Sequence, residues 1–127
     1  MQLSERLGEP DYTGQWNQDS GPSDFSRFSM YILKREQSED SEKISGLIVD
    51  DAVNTHRYVF SAFSGEIRGR IIRFEKVYQP GVSTTKLSYL GGINVDGNVG
   101  GVYDSRAPGI KGTFKMSPVK QPVEASA

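Results

Sequence analysis

Polar and apolar residues alternate along most of this chain with a period of two, the pattern of a half-buried β-strand rather than of a helix. The clearest case is the segment RIIRFEKVY at positions 70–78. Its even-numbered positions form one face, on which a lysine stands among large apolar and aromatic side chains: Ile72, Phe74, Lys76 and Tyr78. If Phe74 belongs to the core, the alternation predicts that Lys76 also points inward.

Seven further segments alternate in the same way, and turn signals such as Pro80-Gly81 and Asp96-Gly97 separate several of them. In chain order the candidate strands lie at 13–17, 28–32, 44–48, 58–62, 70–78, 87–91, 99–103 and 112–116. Many short strands separated by glycine-rich turns are typical of sandwiches and barrels. Because short connections join neighbours and closure removes exposed edges, we predict an all-β fold, a closed antiparallel up-and-down barrel of about eight strands.

The barrel is predicted to occupy residues 12–118 as a single domain. Residues 1–11 are mostly polar and are predicted to form a short N-terminal arm outside the core. Residues 119–127 lack large apolar side chains, so we predict a disordered, flexible C-terminal tail. The fold therefore consists of one core domain with an extension at each end.

Two polar stretches inside the barrel region have simple structural interpretations. The charged run at 34–43 is predicted to be a solvated hairpin loop, because such runs are disordered by themselves. Asp50 and Asp51 stand close to Asn54 and are predicted to serve turn chemistry. The strand at 58–62 is predicted to end at Ser64-Gly65.

Composition excludes several classes of function. The chain has 127 residues and no cysteine, so a disulfide framework and a thiolate metal site or nucleophile are impossible. With 15 basic and 16 acidic residues it shows no basic excess, and we expect no nucleic-acid partner. No apolar run approaches the length of a membrane span, and we expect no membrane partner. The acidic N-terminal stretch does not resemble a secretory signal, so a cytoplasmic location is expected.

Reaction motifs are also absent from the sequence. His56 is the single histidine, and there is no Gly-x-Ser-x-Gly motif to provide a nucleophile for a catalytic triad. One histidine also makes a catalytic zinc site a poor interpretation. We therefore expect neither a metal nor a cofactor, and the sequence leaves open whether the protein is an enzyme.

At Gly14-x-Trp16, within the stretch YTGQWNQDSG, the chain resembles the first strand of the calycin superfamily, which includes lipocalins, fatty-acid-binding proteins and avidins. The stretch is most similar to the avidin opening strand. The rest of the core is similar to small, mostly uncharacterised calycin-like barrels through Ile44-Ser45-Gly46 with Asp50, Phe74-x-Lys76-x-Tyr78, Leu87-x-Tyr89-x-Gly91, Val99-x-Gly101-x-Tyr103 and Gly112-x-Phe114-x-Met116. The resemblance implies a closed barrel with Trp16 packed at one end.

The chain departs from the two best-known branches of that superfamily. Avidins close their biotin pocket with several tryptophans, whereas this sequence has one, and the polar ring that reads the urea group of biotin has no counterparts here. The disulfide of lipocalins is impossible without cysteine. The resemblance is therefore to a calycin-like barrel that does not bind biotin.

Inward-facing aromatic residues and one lysine are the candidate ligand-binding residues: Trp16, Phe28, Phe74, Lys76, Tyr78, Tyr89, Tyr103 and Phe114. We predict a barrel that holds a small, partly apolar ligand, with Lys76 available to anchor an anionic group. The competing interpretation of Lys76 is a structural ion pair or a side chain that reaches solvent.

Two other functions stay open. One is an enzyme of the cyclase or isomerase type that works in the same cavity, with a Tyr-Lys pair as acid or electrostatic stabiliser. The other is a structural or oligomeric protein in which these side chains fill a solid core, since small eight-stranded barrels occur both filled and hollow. The sequence does not fix the oligomeric state, and a homodimer is compatible with it.

Overall fold

The computed structural model describes residues 8–18, 26–52, 57–78, 86–105 and 111–119, without the side chains of Gln18, Ser26, Ala52, Arg57, Tyr58 and Tyr78. It contains eight strands: β1 (Tyr12–Gln18), β2 (Ser26–Gln37), β3 (Glu42–Ala52), β4 (Arg57–Arg68), β5 (Ile71–Tyr78), β6 (Lys86–Ile93), β7 (Val99–Asp104) and β8 (Lys111–Pro118). Each strand pairs antiparallel with the next, and β8 pairs with β1 to close the barrel. This confirms the predicted all-β, closed up-and-down barrel.

The period of two in the sequence becomes an inward and an outward face in each strand. On β5, Ile72, Phe74 and Lys76 are buried while Ile71 and Arg73 are exposed, as the sequence predicted for this strand. Strands β6 and β8 show the same alternation of exposed and buried positions. The described residues contain no helix, and so none that could cross a membrane.

Aromatic rings in contact with one another pack the middle of the interior. Tyr89 stacks on Phe74 with ring centroids 4.6 Å apart and on Tyr103 at 5.3 Å. Phe114 meets Phe74 and Tyr89 edge-on, at 6.1 and 5.2 Å. Offset stacks and edge-to-face pairs are the favoured arrangements of aromatic rings, and each stabilises the core beyond the area that it buries.

The two ends of the barrel differ in their connections. At one end, which we call the turn end, residues 38–41, 69–70 and 94–98 join consecutive strands. The predicted Asp96-Gly97 turn lies there, with Gly97 at a φ of 89°, a conformation that glycine adopts without strain. At the opposite end, which we call the upper end, β1, β3, β5 and β7 finish, and the segments that follow them lie outside the described residues.

Two predictions about strand length are wrong. The charged run at 34–43 is not a loop, because β2 continues to Gln37 and β3 begins at Glu42. Arg35 and Glu42 form a cross-strand ion pair at 3.1 Å, so the charges sit on the exposed faces of a long hairpin. Strand β4 likewise runs through Ser64-Gly65 and ends at Arg68.

The inward face of β4 is formed by odd-numbered positions. Ser61 and Phe63 are buried inside the barrel, whereas Phe60 is half-buried on the outer face and Ala62 is exposed. The predicted arm at 1–11 is described only from Gly8, and the predicted tail at 119–127 only at Val119. Both stay predictions.

Candidate functional site

Seven of the eight predicted ligand-binding residues lie in the barrel interior: Trp16, Phe28, Phe74, Lys76, Tyr89, Tyr103 and Phe114. Six are buried, and Trp16 is half-buried and packs against the core. The eighth, Tyr78, ends β5, and its side chain lies outside the described residues. The structure thus gathers these side chains in one interior, while their part in binding a ligand stays a prediction.

An ion pair between Lys76 and Asp50 lies inside the barrel. The Lys76 ammonium contacts Oδ2 of Asp50 at 3.0 Å, and the side chains are 1% and 7% exposed. Strand register explains this contact, because both residues lie across from β4. Lys76 is opposite Phe63 and Asp50 is opposite Val59. One inward residue of β4, the small Ser61, lies between these two positions. Of the alternatives for Lys76 that the sequence left open, the structure shows the ion pair.

Trp16 completes the coordination of Asp50. Its indole Nε1 donates a hydrogen bond of 3.0 Å to Oδ1, so each carboxylate oxygen accepts from a different side chain. The Lys76 ammonium also lies 5.8 Å from the centre of the Trp16 ring and 5.4 Å from that of Tyr89, within range of a cation–π attraction. Tyr103 meets the Trp16 ring edge-on at 5.9 Å. We call these five residues the Trp16 cluster.

The Trp16 cluster gives the barrel a polar end and an apolar end. Trp16, Asp50, Lys76 and Tyr103 all stand near the upper end, where their strands finish. With Tyr12 packed against the same core, the interior near the turn end is instead lined mainly by aliphatic side chains: Ile44, Ile67, Ile72, Ile93, Val99 and Met116. Interior polarity in the described residues is therefore concentrated where Trp16 is half-exposed.

Sequence reasoning missed Asp50 and Ser61. Asp50 is 5% exposed and lies within β3, not in a turn, so its assignment to turn chemistry is wrong. It shares the parity of Ile44 and Ile48, the signal that would have placed it inward. Ser61 is 1% exposed, and its hydroxyl donates to the backbone carbonyl of Ile48 at 3.3 Å.

Grooves on the outer wall offer a second kind of surface. One of about 1330 Å³ is lined mainly by outward positions on β1, β2 and β8, such as Gln15, Arg27 and Lys115. Another of about 800 Å³ crosses the outer side of β2–β7 and includes Arg73 and Glu75. Both mix charges of each sign with hydroxyl groups, unlike the ordered polar contacts of the Trp16 cluster.

Among the remaining titratable groups, the described ranges contain no candidate metal site. No three His, Cys, Asp or Glu side chains converge there as metal ligands, and His56 lies outside those ranges. At the turn end, burial raises the pKa of Tyr12 above its usual value of 10.0, against the opposing effect of Arg35.

Replacing Trp16 by phenylalanine is expected to lower the free energy of unfolding by about 1.5–3 kcal/mol, the range for a hydrogen bond to a charged group. An aromatic ring is retained, although it is smaller than the indole, and Oδ1 of Asp50 loses its indole donor. Chemical denaturation of both proteins measures the difference, with Phe28→Leu as a control for lost ring packing. An unchanged stability would show that the bond to Asp50 contributes nothing.

No protein-family model matches the sequence, and no curated protein matches it.

Proposed function

We propose that the protein binds a small, partly apolar molecule at the upper end of the barrel, against the Trp16 cluster. The supporting observation is the buried Asp50–Lys76 pair in contact with a half-buried indole. Replacing a buried ion pair with apolar side chains of similar volume is often neutral or stabilising, so stability alone is weak grounds for keeping one. A site that recognises a polar group on a ligand is a direct reason to keep it.

The charges of the Trp16 cluster favour a ligand that is neutral overall. Asp50 balances the ammonium of Lys76, so a carboxylate or phosphate gains less here than it would from an unpaired lysine. This differs from the anionic ligand that Lys76 alone suggested. We propose a flat apolar ring that lies on Trp16 and carries an uncharged hydrogen-bonding group that reaches the pair.

The packed rings in the middle of the barrel bear on where such a ligand would lie. Tyr89 stacks directly on both Phe74 and Tyr103, which supports a ligand above the stack rather than within it. The same contacts favour the alternative of a structural protein with a solid core. The resemblance to calycin-like barrels supports the binding proposal, because members of that superfamily hold small molecules inside the barrel.

The indole N–H of Trp16 provides a direct test, because the chain has one tryptophan and therefore one indole signal in a ¹H–¹⁵N spectrum. Neutral bicyclic heteroaromatic fragments are titrated, and saturable movement of this signal is expected with at least one of them. Native mass spectrometry of the protein as purified checks in parallel for a bound compound.

The matched variant is the double substitution Asp50→Leu with Lys76→Met, which removes the ion pair without leaving one charge buried. It should remain folded and lose the fragment response, whereas Lys43→Met, at an exposed lysine near the turn end, should keep it. Responses limited to outer-groove signals such as that of Gln15 would refute the proposed site. No response from the indole signal in any titration would favour the solid-core alternative.

A further inference from the structure

The outer wall of β5–β7 exposes several large apolar side chains, and two of them, Leu90 and Val102, lie side by side. Four of the six exposed large apolar residues in the described part of the chain lie on it: Ile71, Val77, Leu90 and Val102. Leu90 and Val102 are direct cross-strand partners and are 46% and 55% exposed. Contiguous exposed apolar patches mark interaction sites more often than scattered single residues do.

Two glycines leave this part of the outer wall without side chains. Gly92 pairs with Gly100 immediately beside Leu90 and Val102 on the turn-end side. A Cβ atom at either glycine would find no other atom within 4 Å. Another surface can therefore approach the backbone there, and the flanking Leu90 and Val102 can enter a matching depression.

Strand register orders the outward residues of β5–β8 into three rows. The rows are Ile71, Gly92, Gly100 and Lys115; Arg73, Leu90, Val102 and Thr113; and Glu75, Ser88, Asp104 and Lys111. We call this set the β5–β8 face. All twelve residues are exposed. Barrel strands are tilted relative to the barrel axis, so a row perpendicular to them runs obliquely around the barrel. The row is therefore flatter than a path that follows the circumference.

We propose that the β5–β8 face binds the same face of a second copy of this chain, around a two-fold axis that runs parallel to the strands between β6 and β7. A two-fold interface is self-complementary, with each contact made twice. This axis places β6 opposite β7 of the second copy and β5 opposite its β8. Leu90 then meets Val102 of the second copy, and Gly92 meets its Gly100.

Charge complementarity supports a second copy as the occupant. Glu75 and Lys111 are the end members of one row, so the two-fold axis places opposite charges together on both sides of the apolar centre. Within one copy they are three strand spacings apart, roughly 14 Å, and point outward. Neither belongs to an ion pair among the residues that the structure describes. On the first row, the aliphatic stem of Lys115 would cover Ile71 of the second copy.

Sedimentation velocity and native mass spectrometry test the interface. The wild-type protein is expected to sediment at twice the 14.0 kDa mass of one chain at roughly 100 μM and to dissociate on dilution. Leu90→Arg should weaken association at least tenfold. Leu33→Arg, at a position 59% exposed outside this face, should leave it unchanged. A wild-type monomer throughout this range, or a dimer insensitive to Leu90→Arg, would overturn the proposal.

An exchange of charges tests the axis itself. Glu75→Lys and Lys111→Glu should each weaken self-association at least tenfold, since each places like charges together twice. Mixing the two variants, one labelled with ¹⁵N, should restore a heterodimer, because both contacts then join opposite charges. If the mixture associates no better than either variant alone, the proposed axis is wrong. Both positions are exposed, and circular dichroism checks that each variant is folded.

Discussion

Lys76→Met is expected to destabilise the protein by about 3–5 kcal/mol, the usual cost of removing one member of a buried ion pair. The side chain of Asp50 is 7% exposed and has Lys76 on one oxygen and Trp16 on the other. Without the ammonium, the carboxylate must lose its charge or stay buried and uncompensated. Methionine has a similar length to lysine, so the loss reports charge rather than volume.

Two further variants separate charge from packing in this experiment. Adding Asp50→Leu to Lys76→Met removes the stranded carboxylate and should recover most of the lost stability, since apolar replacement of a whole buried pair is often neutral or better. Lys43→Met, at an exposed lysine of β3 outside the β5–β8 face, should change stability by less than about 0.5 kcal/mol. If Lys76→Met alone were as stable as the wild type, the ion pair would not contribute to the fold.

Gly101→Ala is expected to cost about 3 kcal/mol, the upper end of the range for overpacking, because the obstacle is main chain and not a movable side chain. Gly101 of β7 is paired with Gly91 of β6. A Cβ atom on Gly101 would overlap the carbonyl oxygen of Leu90 and crowd the Cα atom of Gly91. The two strands would have to separate, which disturbs the stack that they carry between Tyr89 and Tyr103.

The neighbouring glycine is the matched control for Gly101. Gly100→Ala points its new methyl group into open space, so monomer stability should hold or rise by a few tenths of a kcal/mol through loss of unfolded-state freedom. Denaturation is followed with both proteins diluted, so that association does not contribute. Equal effects of the two substitutions would contradict the close approach of β6 and β7 at Gly101.

The sequence predicted the fold well because its signals are local. An alternation such as Ile72, Phe74 and Lys76 sets the inward face by itself, and Asp96-Gly97 is a strong hairpin signal. Signals that depend on other strands were misread. The charges at 34–43 appear loop-like in isolation, but strand pairing places them on the exposed faces of a hairpin.

The candidate site could be predicted only in part, because some of its signals are local and others depend on distant strands. The inward direction of Lys76 follows from its own strand, whereas its partner lies 26 residues earlier on β3. No residue near Asp50 in the sequence indicates that pairing, and the adjacent Asp51 and the later Asn54 favour a turn. The parity of Ile48 and Asp50 is the local clue, but only the register of β3, β4 and β5 shows that the two side chains meet.

The pairing of β1 with β8 determines where attachments to this molecule can be made. Tyr12 and Pro118 are opposite each other at the turn end, so the chain enters and leaves the barrel at adjacent points. Trp16 is four residues further along β1, roughly 13 Å away at the usual rise of a strand. A fluorescent label or surface tether fused before Tyr12 or after Pro118 would therefore join the barrel at the end opposite the Trp16 cluster.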